Sequence, residues 1–422
     1  MIFLFFYWFV SIFKTYSQNH DITNFLRFDD YIYDKTIHTP LIFKKGNELT
    51  YPIISLNPLD TLQICFDSFD TIPRYFKYTI FHCDFLWNQT NVDYYEYAQG
   101  LKFAYIDRYF FSNNTYQKYI HYEFFIPNEY ITITKSGNYL LVVFNEKDSP
   151  VLSLKFYVYE RLVNIEADVM KARTSSLTKT HQELIIRLKT LFSCQNPLLE
   201  LKTCVTQNFR PDMVRCLEKP LIIDVNYFLY DNEPKLFFPS SNEFRWFDTK
   251  NESFYNMKTN KIELKNDRYY FTLTEDTKKK KSFYLEVSDI NGFFLINRHL
   301  ALNPHTEADY VYVKISAKID TVVKNGNFYV CGYFNKWKTN SENILKYNPE
   351  NKLHEVELYL KQGYYNYQIF LLKDYEKELD SDYFEGNFSD TENDYYVFVY
   401  WKSITANIWR LVGVARFNSH KK

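Results

Sequence analysis

The chain is 422 residues long, with 50 Lys plus Arg against 51 Asp plus Glu and an aromatic content of 20%, carried by 39 Tyr and 39 Phe beside only 9 Gly. That length holds about two to four domains, each able to bury a core. The balanced charge leaves no whole-molecule field to draw in nucleic acid or anionic lipid, so a polyanion partner would need a local patch. The aromatic excess favours strands over helices.

In chain order, the first feature is MIFLFFYWFVSIF (1–13), an apolar run of thirteen residues. It is short for a membrane span but has the length of a secretory leader's core. Lys14 closes the run, and Thr15-Tyr16-Ser17 offers small residues before a cut at Gln18, which predicts a signal peptide over 1–17. No later stretch approaches eighteen consecutive apolar residues, so no span is expected in the mature chain. Period-two alternation then recurs at 139–144, 184–188, 270–274 and 356–360, punctuated by turn signals at Ser136-Gly137-Asn138, Asn291-Gly292, Asn325-Gly326 and Gln362-Gly363. This pattern predicts an all-β chain of three consecutive antiparallel β-sandwiches, immunoglobulin-like or early-set-like, over 18–160, 161–306 and 307–422, with Pro304 marking the second linker.

The six cysteines, Cys65, Cys83, Cys194, Cys204, Cys216 and Cys331, suit an oxidising compartment. They form no C-x-x-C pair, which argues against zinc-ribbon and thioredoxin-type sites. Cys194, Cys204 and Cys216 are close enough in sequence for one cross-strand disulfide, whose pairing stays open.

Catalytic signatures are scarce. In YTIFHCDFLWN (78–88) a strand would turn Cys83 away from His82 and Asp84, so the three cannot relay locally, and the reading is a buried cysteine beside a turn-capping Asp84. Asp289-Ile290-Asn291-Gly292 fits a type I′ turn better than a calcium loop, because the twelfth loop position falls on Arg298. His354-Glu355 lacks the second histidine of a zinc protease, and His299 has no motif around it. Lys278 to Lys281 reads as a solvated hairpin tip. No phosphate-cradling or nucleophile-elbow motif occurs, and no cofactor or metal signature is found.

Taken in order, the blocks YTIFHCDFLWN, YAQGLKFAYIDRYFFSNNT (97–115), YIHYEFFIPNEY (119–130), SGNYLLVVF (136–144), NEFRWFD (242–248), SDINGFF (288–294), YVCGYFNKW (329–337), YLKQGYYNYQ (359–368) and EGNFSDTENDYYVFVYW (385–401) make the chain resemble the type IX secretion system plug family of Bacteroidota. The resemblance implies a non-enzymatic periplasmic protein that docks on the outer-membrane translocon barrel and closes its pore while no substrate is engaged. It does not identify contact residues. Phe244, Arg245, Trp246 and Trp337 are the candidate anchors, since Arg and large aromatics dominate interface energetics. The alternative is a periplasmic or surface carbohydrate-binding protein, because GYFNKW followed by GYYNY is similar to the paired strands of glycogen-binding sandwiches. The segment FLLKDYEKELD (370–380) replaces the hairpin that completes the sugar platform there, which argues against glycan binding.

Overall fold

The computed structural model describes residues 26–57, 59–279, 283–319, 323, 325–403, 405–406 and 408–420. The leader read at 1–17 lies outside them, as do Lys280 and Lys281 of the basic run. Among the described residues the regular structure is nearly all strand, with helical pieces of a single turn, and no helix is long and apolar enough to cross a membrane.

The first sandwich pairs two sheets around Phe66, Phe76, Tyr122, Tyr139 and Phe156. Gly137–Phe144 runs between Phe76–Cys83 and Pro150–Tyr159 and is buried at every position. Cover on both faces corrects the alternation expected at 139–144: YLLVVF is a continuous apolar run because neither face of the strand meets water. The facing sheet takes the order Ile37–Lys44, Leu62–Ser68, Ile120–Ile126, Tyr109–Phe111. Its outer side is covered as well: Leu41, Phe43 and Cys65 join Phe247, Val311 and Tyr365 in one core shared with the third sandwich.

The other two sandwiches are interleaved. Val163–Lys171, His181–Thr190 and Tyr227–Tyr230 form one sheet of the second. Its opposing sheet begins with Leu201–Gln207 and Val214–Cys216 but is completed by Asp394–Trp401 and Arg410–Asn418, with Leu201 facing Trp401 and Gln207 facing Tyr395. The chain between them builds the third sandwich. There Arg245–Asp248, Phe294–Ile296 and Gly326–Cys331 all pair with the long strand Gly363–Lys373, across from a sheet centred on Tyr310–Ala317.

A linear cut at 306/307 therefore passes through both sheets of the third sandwich and leaves the C-terminal hairpin without its partner strand. The return is driven by burial on two faces. Tyr395, Val397 and Val399 enter the second core with Leu184 and Phe228, while Phe398 and Tyr400 pack with Cys204 and with Tyr157 of the first sandwich. Pro304 opens a helical turn, Pro304–Glu307, capped by the Asn303 side chain, which accepts from the His305 amide at 3.1 Å.

Candidate functional site

The three sandwiches meet around a cleft of ≈ 800 Å³. The first contributes Asp29, Trp87 and Tyr157, the second Phe209 and Phe398, and the third the loop carrying Tyr333, Lys336, Trp337 and Lys338.

That loop is shaped by close approach. A Cβ on Gly332 would stand 2.5 Å from the Asn366 carbonyl oxygen, so only glycine fits. The Asn335 side chain then ties the turn, its Oδ1 accepting from the Gly332 amide at 3.2 Å and its Nδ2 donating to the Val330 carbonyl at 3.0 Å. Lys336 and Trp337 both adopt left-handed backbone, φ 54° and 60°, a conformation that costs about 1–2 kcal/mol per non-glycine residue. The return for that strain is the placement of the indole. Trp337 packs with Phe244 and Phe370 at ring separations of 5.8 and 6.1 Å, and the Arg210 guanidinium lies 5.6 Å from its ring. Gly292, at φ +84°, lies directly against it, since a Cβ there would come within 2.6 Å of the indole. Asn291 and Gly292 have the paired positive φ of a type I′ turn, closed by the Phe293 amide on the Ile290 carbonyl at 3.0 Å. Residues 283–290, which lead into this turn, lie outside any strand, so it serves as a platform beneath Trp337 rather than as a hairpin tip.

Charge at the cleft is largely neutralised. Asp29 lies between Lys155 and Lys338 at 2.9 and 3.1 Å. Burial pushes its carboxyl up, but the two ammonium groups together outweigh this and hold it below the usual range. Lys336 sits 3.8 Å from the centre of the Tyr333 ring, and desolvation lowers its pKa against partial opposition from Asp30. The disulfide Cys204–Cys216 forms part of the wall, joining residues that face each other across two strands. Cys194 is not part of it.

The candidate anchors divide. Phe244 and Trp337 are in contact with each other and are 5% and 4% exposed, so neither presents an outward face. Arg245 is buried as the centre of an ion cluster, reaching Glu385 at 2.9 Å, Asp276 at 2.8 Å and the Thr277 carbonyl at 2.9 Å. Burial alone would lower its pKa, yet the two carboxylates raise it. Trp246 is half-buried and stacked on Tyr364. These segments stiffen the third sandwich from within.

No relay forms at His82. Its Nδ1 meets Thr90 Oγ1 at 3.0 Å and its Nε2 meets the Ser136 carbonyl at 3.3 Å, and burial lowers its pKa to about 4. Burial and Asp84 push the Cys83 thiol up to about 12, the opposite of an activated nucleophile. Asp84 caps the following turn by accepting from the Leu86 and Asn88 amides at 2.8 and 2.9 Å.

Sequence reading missed the buried polar cluster where the first and third sandwiches join. There Asp67 accepts from His121, Tyr310 and Lys361. His121 and Lys361 stand 54 and 294 residues from Asp67, a separation at which no local motif can signal the contact.

Residues 37–160 match the family model described as type 9 secretion system plug protein, first domain. No curated protein matches the chain. Among solved structures it is similar to a crystal structure, at 2.30 Å, of a hypothetical protein from Parabacteroides merdae. The two are 28% identical with a TM-score of 0.90, over 93% of this chain and 100% of that one. The family match runs from the first residue of the strand Ile37–Lys44 to the residue after the strand Pro150–Tyr159, which is the first sandwich almost entire. Over these residues the chain is similar to the first domain of type 9 secretion system plug proteins.

Proposed function

We propose that the protein is a periplasmic plug that docks on the outer-membrane translocon barrel of the type IX system and closes its pore while no substrate is engaged. The observation that carries this reading is the match of the first sandwich to the plug protein's first domain. The mechanics support it. A plug has to resist deformation, and here the first and third sandwiches share one core while the second and third are interlocked by strand pairing. It also needs a surface for the barrel. The edge strand Tyr109–Phe111 leaves Tyr109, Phe110 and Phe111 at 42%, 38% and 58% exposure beside Arg108. An uncovered aromatic edge is an aggregation hazard unless a partner protects it, and aromatics with Arg are the residues that anchor interfaces.

The glycan reading loses its stacking face, since Trp337 is spent inside the molecule. Affinity purification of the tagged protein from gently solubilised outer membranes tests the docking reading. One very large barrel should co-purify, and Phe110→Ser with Phe111→Ser should cut its recovery about tenfold with an unchanged thermal midpoint. Recovery of wild-type protein only as a free monomer, in cells that make the barrel, overturns the reading.

A further inference from the structure

On the face of the first sandwich that meets the third, two neighbouring strands arrange four polar side chains in a block. Cys65 lies directly across from Glu123, and Asp67 directly across from His121, in the register between Leu62–Ser68 and Ile120–Ile126. Because alternate residues of a strand share a face, all four project the same way. The Cys65 sulfur, a His121 ring nitrogen and a Glu123 carboxylate oxygen lie within 4.8 Å of one another. Cys65, Asp67 and His121 are buried, and Glu123 is half-buried.

Hydrogen bonding prepares the imidazole. His121 Nδ1 is 2.7 Å from Asp67 Oδ1, so in the neutral ring Nδ1 donates and the lone pair sits on Nε2. That Nε2 is buried and has no hydrogen-bond partner among the described residues. A carboxylate that fixes the ring from behind while the other nitrogen stays free is the arrangement by which proteins orient metal-binding histidines. Asp67 is held in this orienting role, because its second oxygen is taken by Lys361 at 2.5 Å and Tyr310 at 2.7 Å. Among the described residues Cys65 Sγ receives only a long contact from Gln63 at 3.8 Å. Arg108 approaches Glu123 only at 3.7 Å, from a side chain that is mostly exposed.

We propose that Cys65, His121 Nε2 and Glu123 bind one zinc ion. A thiolate, an imidazole and a carboxylate form a mixed donor set suited to this borderline cation. Binding displaces one proton from the Cys65 thiol. The thiolate and carboxylate then balance the two charges of the ion, so the cluster is neutral, as a buried site requires. The fourth position belongs to water or to His305. The His305 ring stacks on His121 at 5.2 Å, its Nε2 is held by Glu48 at 2.9 Å, and its Nδ1 also lacks a partner among the described residues. With His305 as ligand the ion would staple the first sandwich to the turn that leads into Tyr310–Ala317 of the third. This inference is independent of the plug reading.

The test uses the mature full-length protein purified without chelator. Zinc measured by mass spectrometry should approach one equivalent per chain. After chelation, titration with cobalt(II) should give thiolate charge-transfer absorption and tetrahedral d–d bands, lost in Cys65→Ser and His121→Gln. Because those buried variants can fail to fold, Glu123→Gln is the second arm: it should keep the wild-type circular dichroism while weakening cobalt affinity about tenfold or more. Wild-type protein that takes up neither metal at micromolar concentration, leaving only a buried water on Nε2, overturns the proposal. So does metal retained unchanged in both Cys65→Ser and Glu123→Gln.

Discussion

His82 is neutral at physiological pH because its ring is buried between Thr90 and the Ser136 carbonyl, which lowers its pKa to about 4. The ordinary value is about 6.5, so between those limits the unfolded chain binds a proton that the folded one refuses. Stability from this group is therefore complete above about pH 6.5 and is lost as pH falls toward 4, by roughly 3 kcal/mol in all. Urea denaturation at pH 7 and pH 4.5 should show a pH difference smaller by about 2 kcal/mol in His82→Gln than in wild type. Equal pH differences would mean that the ring is not buried as described. The neighbours of His82 were legible, since strand alternation and a turn-capping Asp are local rules. Phe244, Arg245 and Trp337 were not. Residue type marks them as good anchors, but what each does depends on partners that fold in from afar, and Glu385 lies 140 residues from Arg245. The same aromatic or guanidinium group that would grip a partner outside can equally well satisfy a carboxylate inside.

The strand pair Leu201–Gln207 and Val214–Cys216 carries a stabilising device whose existence was readable and whose pairing was not. Three cysteines within one short region left the choice open, and the register settles it by putting Cys204 opposite Cys216. Cys194 lies outside any strand, half-buried before the turn Pro197–Glu200. A bond that closes a loop of sequence separation 12 restricts the unfolded chain, a constraint worth about 3 kcal/mol in the loop-entropy account. Replacing both cysteines by serine should therefore lower the stability measured by urea denaturation by about 2–3 kcal/mol. Reductant should do the same to wild type and nothing further to the variant. A reductant effect that persists in the variant would point to a different bond. The loss should be felt beyond this pair, because Cys204 also packs against Phe398 and Tyr400 of the returning hairpin.

At the scale of the whole molecule, sandwich class was written in the period-two patterns and turn residues, because alternation follows from a strand having one wet and one dry face. The order of assembly was not written there. The continuous apolar run of Asp394–Trp401 says that this strand needs two covered faces, and it does not say that Leu201–Gln207, far back in the sequence, will sit beside it. Nesting of the third sandwich inside the second has a direct consequence for truncation. Deleting residues from 391 onward removes Tyr395, Val397, Val399 and Val412 from the second core and strips the pairing edge from Leu201–Gln207. It leaves every strand of the third sandwich in the chain. Protection from hydrogen exchange should therefore collapse in His181–Thr190 and Tyr227–Tyr230, far from the cut in sequence, while Tyr310–Ala317 and Gly363–Lys373 stay protected. If the chain were three sandwiches in linear succession, the same deletion would expose the third sandwich and spare the second. The exchange map of one truncated protein thus separates the two architectures.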